Sequence, residues 1–300
     1  MHIPSEMLST TICPITATVA VAGVVASGFA LYKSKANTPS TLLFALVTAT
    51  VFGLQMLNYA IFDGVSGHLI GGVFASTLLG IPSAIISLSI VLLVQTVIFA
   101  DGGILMLCAN ILNMAIIGAG LGGLIRAMLL SKGMNNNIAI FVASAMSVVL
   151  ASLAVSLELL ASGKGGAEMV ATLVGVHTIL GLIEGVATIV LVKLVAYEST
   201  GMMSKRLALS LCGLIIFSIC VSPFASAFPD AFEWTMAKFN LLTDAPNFVL
   251  APFADYTIES ISNAFLSSLL AGIIGVLAIF NFSYAISFLF EKIITIKAYR

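Results

Sequence analysis

Charge is what this chain has least of. Only 8% of its 300 residues are Asp, Glu, Lys or Arg, where a soluble globular chain carries roughly a quarter. Sixty per cent are hydrophobic and the mean hydropathy is +1.16. That excludes a water-soluble domain and reads as an integral membrane protein. A net charge of −1 offers nothing to nucleic acid. The four cysteines (Cys13, Cys108, Cys212, Cys220) have no CxxC or other ligand spacing, and three lie in apolar runs where Cys serves as a small hydrophobe. The sequence has no GxxxxGKS/T phosphate loop, so any ATP hydrolysis would have to come from elsewhere. No basic residue precedes the first apolar run, and Lys33 and Lys35 follow it. A cleavable signal peptide carries its charge in front. The expectation is therefore an uncleaved chain whose first helix inserts with its N-terminus outside the cytoplasm.

What is present is apolar sequence in span-length runs. They lie near 15–32, 41–61, 69–81, 83–100, 104–128, 138–160, 170–192, 207–225 and 262–290. The expected fold is an all-α polytopic membrane protein of about nine transmembrane helices, N-terminus outside and C-terminus inside. The charges agree with this topology. Ten of the 12 basic residues fall on the cytoplasmic side, with only Lys164 and Lys238 outside, as the positive-inside rule requires. Ten of the 13 acids fall outside, giving an outer face that would attract cations. There is no internal repeat. Near residues 200–206 seven spans with short connections give way to two joined by an outer loop, about 226–261. The expected division is 1–203, a seven-helix unit, and 204–300, a two-helix module. In the loop Phe232, Met236 and Phe239 recur at helical spacing beside Trp234, which reads as a short helix at the membrane surface.

Histidine is nearly as scarce, at three residues, and one stands at position 2. The Met1 amine, the following amide nitrogen and Nδ1 of His2 can close two chelate rings on one metal ion. Three coplanar nitrogens and an open fourth corner suit Ni(II), Cu(II) or Co(II) better than tetrahedral Zn(II). A histidine there for no such reason is the plain alternative. The expected topology also places His68 outside, after the turn Gly64-Val65-Ser66-Gly67, where it could supply the fourth corner. Cu(II) would bind such nitrogens at least as well as Ni(II), so the cell's copper scarcity would have to discriminate.

Other polar residues flank this surface. Gln55, Asn58, Gln95, Asp101, Asn110 and Asn113 sit near outer helix ends. They could orient the N-terminal loop and His68, or serve as interhelical hydrogen-bonding glue. His177 and Glu184 share one face of the seventh span. A charged Glu near the midplane costs roughly 2.5–3.5 kcal/mol, so it is protonated, paired or on a pathway. Gly181 and Gly185 form a small-xxx-small face for close packing.

Five motifs in order then carry a family resemblance over residues 1–200: Met-His-Ile-Pro, Gln55-Met56-Leu57-Asn58, Ser66 to Gly72, Phe99 to Gly103, and Ala109 to Met114. Together they resemble the substrate-binding S-component of nickel/cobalt energy-coupling-factor (ECF) transporters. Pro229-Asp230-Ala231-Phe232-Glu233 and Ala251 to Tyr256 resemble the accessory component carrying a Pro-Asp-Gly-Leu-Glu motif, here altered. The resemblance implies metal held by Met1, His2 and His68, with Ni(II) or Co(II) as transported substrate and no organic cofactor. It also implies partners, a coupling transmembrane T-component and cytoplasmic ATPases, in a prokaryotic inner (plasma) membrane. The family continues Met-His-Ile-Pro with Asp-Gly, whereas Ser5-Glu6 follow here. Two other readings stand beside it. Gly64-Val65-Ser66-Gly67 matches the GxSG of intramembrane serine proteases, with His177 as base for Ser66. His177 and Glu184 could instead serve a proton-coupled carrier.

Overall fold

The computed structural model describes residues 2–33, 38–195, 204–242 and 251–298. Seven helices are long and apolar enough to cross a membrane: α1 (Ile12–Lys33), α4 (Ile81–Phe99), α5 (Ile104–Ser131), α6 (Asn136–Ala161), α7 (Ala167–Leu194), α8 (Lys205–Phe224) and α10 (Ala264–Ile293 of a helix running to Ala298). Between α1 and α4 lie α2 (Thr41–Gln55) and α3 (Gly72–Leu79). At 1.5 Å per residue these measure about 22 Å and 12 Å, short of a 30 Å hydrocarbon core. The runs expected as spans 41–61 and 69–81 are therefore shorter helices. Both are interior: every residue of α2 except Leu42 is buried, and all of α3 is. A helix apolar on all sides suits either protein or lipid surroundings, and the burial of nearly every residue shows that here protein surrounds it.

The chain is also not purely helical. Residues expected to finish the second span instead form an antiparallel hairpin, β1 (Tyr59–Phe62) with β2 (Val65–Gly67). Gly64 takes the turn at φ 79°, a left-handed conformation that glycine adopts freely. α3 is bracketed by Gly71 and Gly80, also at positive φ (74° and 78°), so the chain reverses sharply at both ends. α5 is π-helical over Ile111–Leu121, a wider winding often found at functional positions.

The expected helix in the outer loop exists as α9 (Ala231–Lys238), begun by an Asp230–Glu233 capping box. Its position corrects the expectation. Phe232 and Met236 are fully buried, packed with Ile3, Met7, Leu159 and Met169. The apolar face covers the N-terminal segment and the ends of α6 and α7 rather than lipid. The expected boundary at 200–206 falls largely on residues outside those described.

α6 and α7 pack closely where the small-residue face lies. A Cβ at Gly181 would meet the Ala145 carbonyl oxygen at 2.7 Å, and one at Gly185 would meet Phe141 at 2.7 Å. α10 lies against α2, and α8 packs on α2 as well. The C-terminal ends of α4 and α6 and the starts of α1, α5 and α7 gather at one level, where the N-terminal segment crosses them. Lys164 Nζ donates to the Glu6 carbonyl at 2.8 Å, and Ser9 N donates to Ser162 Oγ at 3.0 Å.

Candidate metal centre

Two of the three histidines meet. The rings of His2 and His68 stack with centroids 5.3 Å apart and planes 24° from parallel. They come from opposite directions, one on the segment before α1 and one on the link between β2 and α3.

The N-terminal segment is held by its backbone. Ile3 N donates to Asn110 Oδ1 at 2.8 Å, and Asn110 Nδ2 donates back to Ile3 O at 3.3 Å. Gly103 N also donates to Ile3 O at 3.0 Å. Gly103 is glycine for a steric reason: a Cβ there would stand 2.2 Å from Ser5 N. Glu6 has φ 64°, at the position where the resembling family carries glycine, so the departure costs backbone strain and no donor atom.

His2 is buried, with Nδ1 3.0 Å from Asp101 Oδ1 and Nε2 3.3 Å from Gln95 Oε1. Tyr256 completes this circuit. Its hydroxyl donates to Asp101 Oδ2 at 2.6 Å and accepts from Gln95 Nε2 at 3.2 Å. Burial lowers the His2 pKa below its ordinary value, with Asp101 opposing. Burial also pulls His68 down, to about 4. Nδ1 of His68 lies 3.0 Å from Leu69 O. That carbonyl accepts a proton only from Nδ1–H, so the Nε2 of the neutral ring carries the lone pair a metal needs.

The chain leaving His68 is clamped from two helices. Glu184 accepts Ile70 N at 2.8 Å and Gly71 N at 2.9 Å, one on each carboxylate oxygen. Gln55 Nε2 donates to Ile70 O at 2.8 Å. Glu184 is thus neither idle nor lipid-facing. It ties α7 to the His68 loop.

The residues after 204 join the same surface. Ser66 N donates to Pro229 O at 2.9 Å, and Ser66 Oγ donates to Phe228 O at 2.7 Å, so 228–230 lies beside β2 as a parallel bridge. Asp230 Oδ2 lies 4.0 Å from His68 Nε2. Ser226 N donates to Asn58 O at 2.8 Å, and Phe253 N to Ile98 O at 3.0 Å. The Tyr256 ring stacks on Phe99 with centroids 4.5 Å apart.

Other expected residues stand apart. Asn113 Nδ2 donates to Glu158 Oε2 at 2.9 Å, a tie between α5 and α6. His177 Nδ1 is engaged by Leu173 O at 2.8 Å, and no hydrogen bond links it to Ser66, whose hydroxyl is spent on backbone carbonyls. The two buried groups His177 and Glu184 line one small cavity without bonding each other. Met1 lies outside the described residues. Among those described, no three His, Cys, Asp or Glu side chains form a ready metal-ligating group. Residue-by-residue reading of the site missed Tyr256, Asp230 and Gly103. The first two sit in the Ala251–Tyr256 and Pro229–Glu233 motifs, which signalled the module but not its contact with histidine.

Fold and site together define a multi-pass membrane protein with a stacked histidine pair beneath a polar cover, of the transition-metal transporter class. The model of the cobalt uptake substrate-specific transmembrane region (CbiM) matches residues 2–200, and that of the PDGLE domain matches 204–292. The chain belongs to this family, as a nickel/cobalt ECF S-component fused to a PDGLE module. A protein of Archaeoglobus fulgidus assigned as the fused nickel transport protein NikMN is 30% identical over 298 residues, 96% of this chain and 98% of that one. The fused nickel transport protein NikMN of Rhodobacter capsulatus is 38% identical over 118 residues, 39% of this chain and 34% of its own. A crystal structure of a truncated transition metal transporter superposes with a TM-score of 0.59 at 28% identity, covering 65% of this chain and 98% of that one.

Proposed function

We propose that this chain captures Ni(II), or Co(II), with high affinity outside the cytoplasm and delivers it inward as the substrate-specific subunit of an ATP-driven ECF importer. The observation that carries this reading is the stacked His2–His68 pair. It brings the one imidazole able to chelate with a chain terminus against a second whose neutral ring carries its lone pair on Nε2. The Met1 amine, the second amide and His2 Nδ1 supply three nitrogens, and His68 Nε2 supplies the fourth. Planar nitrogen coordination favours Ni(II) over Co(II). Asp101 faces His2 Nδ1, so a metal bound there would take the place of that contact.

The topology is part of the proposal. In this reading α2 and α3, each shorter than the hydrocarbon core, carry the chain to the level of the site and back toward the start of α4, which keeps the N-terminus outside as nine crossings would. The functional division is 1–203 for metal capture and 204–300 for the accessory module, in the cell's inner membrane. A coupling membrane subunit and cytoplasmic ATPases would drive reorientation and release.

The test is metal binding by the purified chain with a native N-terminus, beside His68→Ala and a form extended at the N-terminus. Tight binding lost in both variants supports the chelate. Equal binding by the extended form rejects it.

A further inference from the structure

Beside the histidines lies a partly open cavity of about 350 Å³, lined jointly by the two parts of the chain. His2 and His68 line it, so the ligands proposed above open onto it. Its walls carry four carboxylates: Asp101 from the end of α4, Asp230 and Glu233 from the start of α9, and Asp255 from the turn at 254–256. No lysine or arginine is among its described lining residues. Two amide oxygens on these walls, Gln55 Oε1 and Asn58 Oδ1, are buried without a hydrogen-bond partner, and Gln55 is only 4% exposed.

These walls share one chemistry: they accept hydrogen bonds. A bare ion is the wrong guest, because no three described carboxylate, imidazole or thiol side chains close on a single point. A hydrated dication is the right one, because every metal-bound water presents protons outward. Six waters at about 30 Å³ each occupy roughly 180 Å³, which fits this volume. An ionised carboxylate can accept about four hydrogen bonds.

We propose that this cavity is an antechamber that holds a fully hydrated divalent transition-metal ion by hydrogen bonds through its waters, before those waters exchange for nitrogen ligands. The inference rests on the metal-capture reading and adds a second, earlier station to it. It gives the fused module a chemical task, since three of the four carboxylates belong to residues after 204. Binding through water is weak and indifferent to which metal arrives. Selection then falls to the nitrogen site below.

The experiment uses the full chain extended at its N-terminus, which closes the chelate, titrated with Mn(II) and followed by electron paramagnetic resonance. We expect one weakly bound Mn(II) that keeps the spectrum of the hydrated ion. Its affinity should fall at least tenfold in Asp230→Asn/Asp255→Asn. These substitutions remove charge with little harm to the fold: Asn caps a helix as well as Asp does, and it tolerates the φ of 52° at Asp255. Asp255→Asn alone provides the reading if the double variant does not fold. In the native-terminus chain, Asp255→Asn should take up Ni(II) several-fold more slowly at low salt, with dissociation unchanged. No bound Mn(II), equal binding in the variants, or a spectrum showing that protein ligands have replaced water would each overturn the antechamber. The nitrogen site is judged separately, by Ni(II) binding to the native chain.

Discussion

Acidification should weaken metal binding by an amount the burial of the histidines sets. A metal displaces one proton from the His2 amide at any pH, and one from the Met1 amine below its ordinary pKa of about 7.7–8.0. The imidazoles add protons only below their own pKa values. His68 lies at about 4 and His2 below 6.5, both drawn down by burial. Both rings then hold a competing proton less readily than an ordinary imidazole does. The sign is that of a depressed base: binding strength is present above the lowered pKa and lost as pH falls through it. With the amine and the amide alone exchanging protons between pH 7 and 5, affinity falls by about 10⁴-fold, or roughly 5.5 kcal/mol. If both imidazoles titrated at 6.5, each would add about a further 25-fold over this interval, for about 10⁶–10⁷ in all. The assay is Ni(II) competition against a chelator of known pH dependence, in detergent, at half-unit steps. A slope approaching four protons near pH 5.5 would refute the claim that burial has already stripped these rings. A slope of one would remove the amine from the ligand set.

Four further outcomes follow from particular contacts. Glu184→Ala leaves the N–H groups of Ile70 and Gly71 without acceptors, at about 1–3 kcal/mol each. Both thermal stability and Ni(II) affinity should drop, whereas loss of stability alone would mean the clamp does not position His68. Gly103→Ala drives a methyl group into the Ser5 backbone, so metal binding should fail while the helix bundle melts nearly as before. Asn110→Leu removes both bonds to Ile3 and should cost ten- to a hundredfold in affinity, measured by the same competition. Glu6→Gly relieves the left-handed strain at φ 64° and should stabilise the N-terminal segment by up to about 1 kcal/mol. Slower amide exchange at Ile3 and Met7 would record it.

The long helices were legible because seven apolar runs exceed the bilayer's length requirement on their own. α2 and α3 were not, because an apolar run reports avoidance of water and cannot tell lipid from protein as the surroundings. The hairpin at 59–67 hid for the same reason: Tyr59-Ala60-Ile61-Phe62 continues the apolar run without a break, and only pairing with Val65–Gly67 makes it a strand. Asp63-Gly64 was the available turn signal. For the site, the meeting of His2 with His68 followed from counting helix ends on one face. The roles of Gln55, Asn110 and Glu184 did not, because each is defined by a backbone partner more than 10 residues away in sequence. Phe232 and Met236 taught a similar lesson. Their helical spacing was correctly read, but a stripe facing a membrane and one facing a protein segment have the same period.

The most direct test is to load the untagged, native-terminus chain with Ni(II) and measure bound metal and its absorption spectrum, with His68→Ala and the N-terminally extended form alongside. The account predicts one Ni(II) per chain with the visible band of a planar nitrogen site, absent from both variants. Equal nickel in all three forms, or none in the native chain, would contradict it.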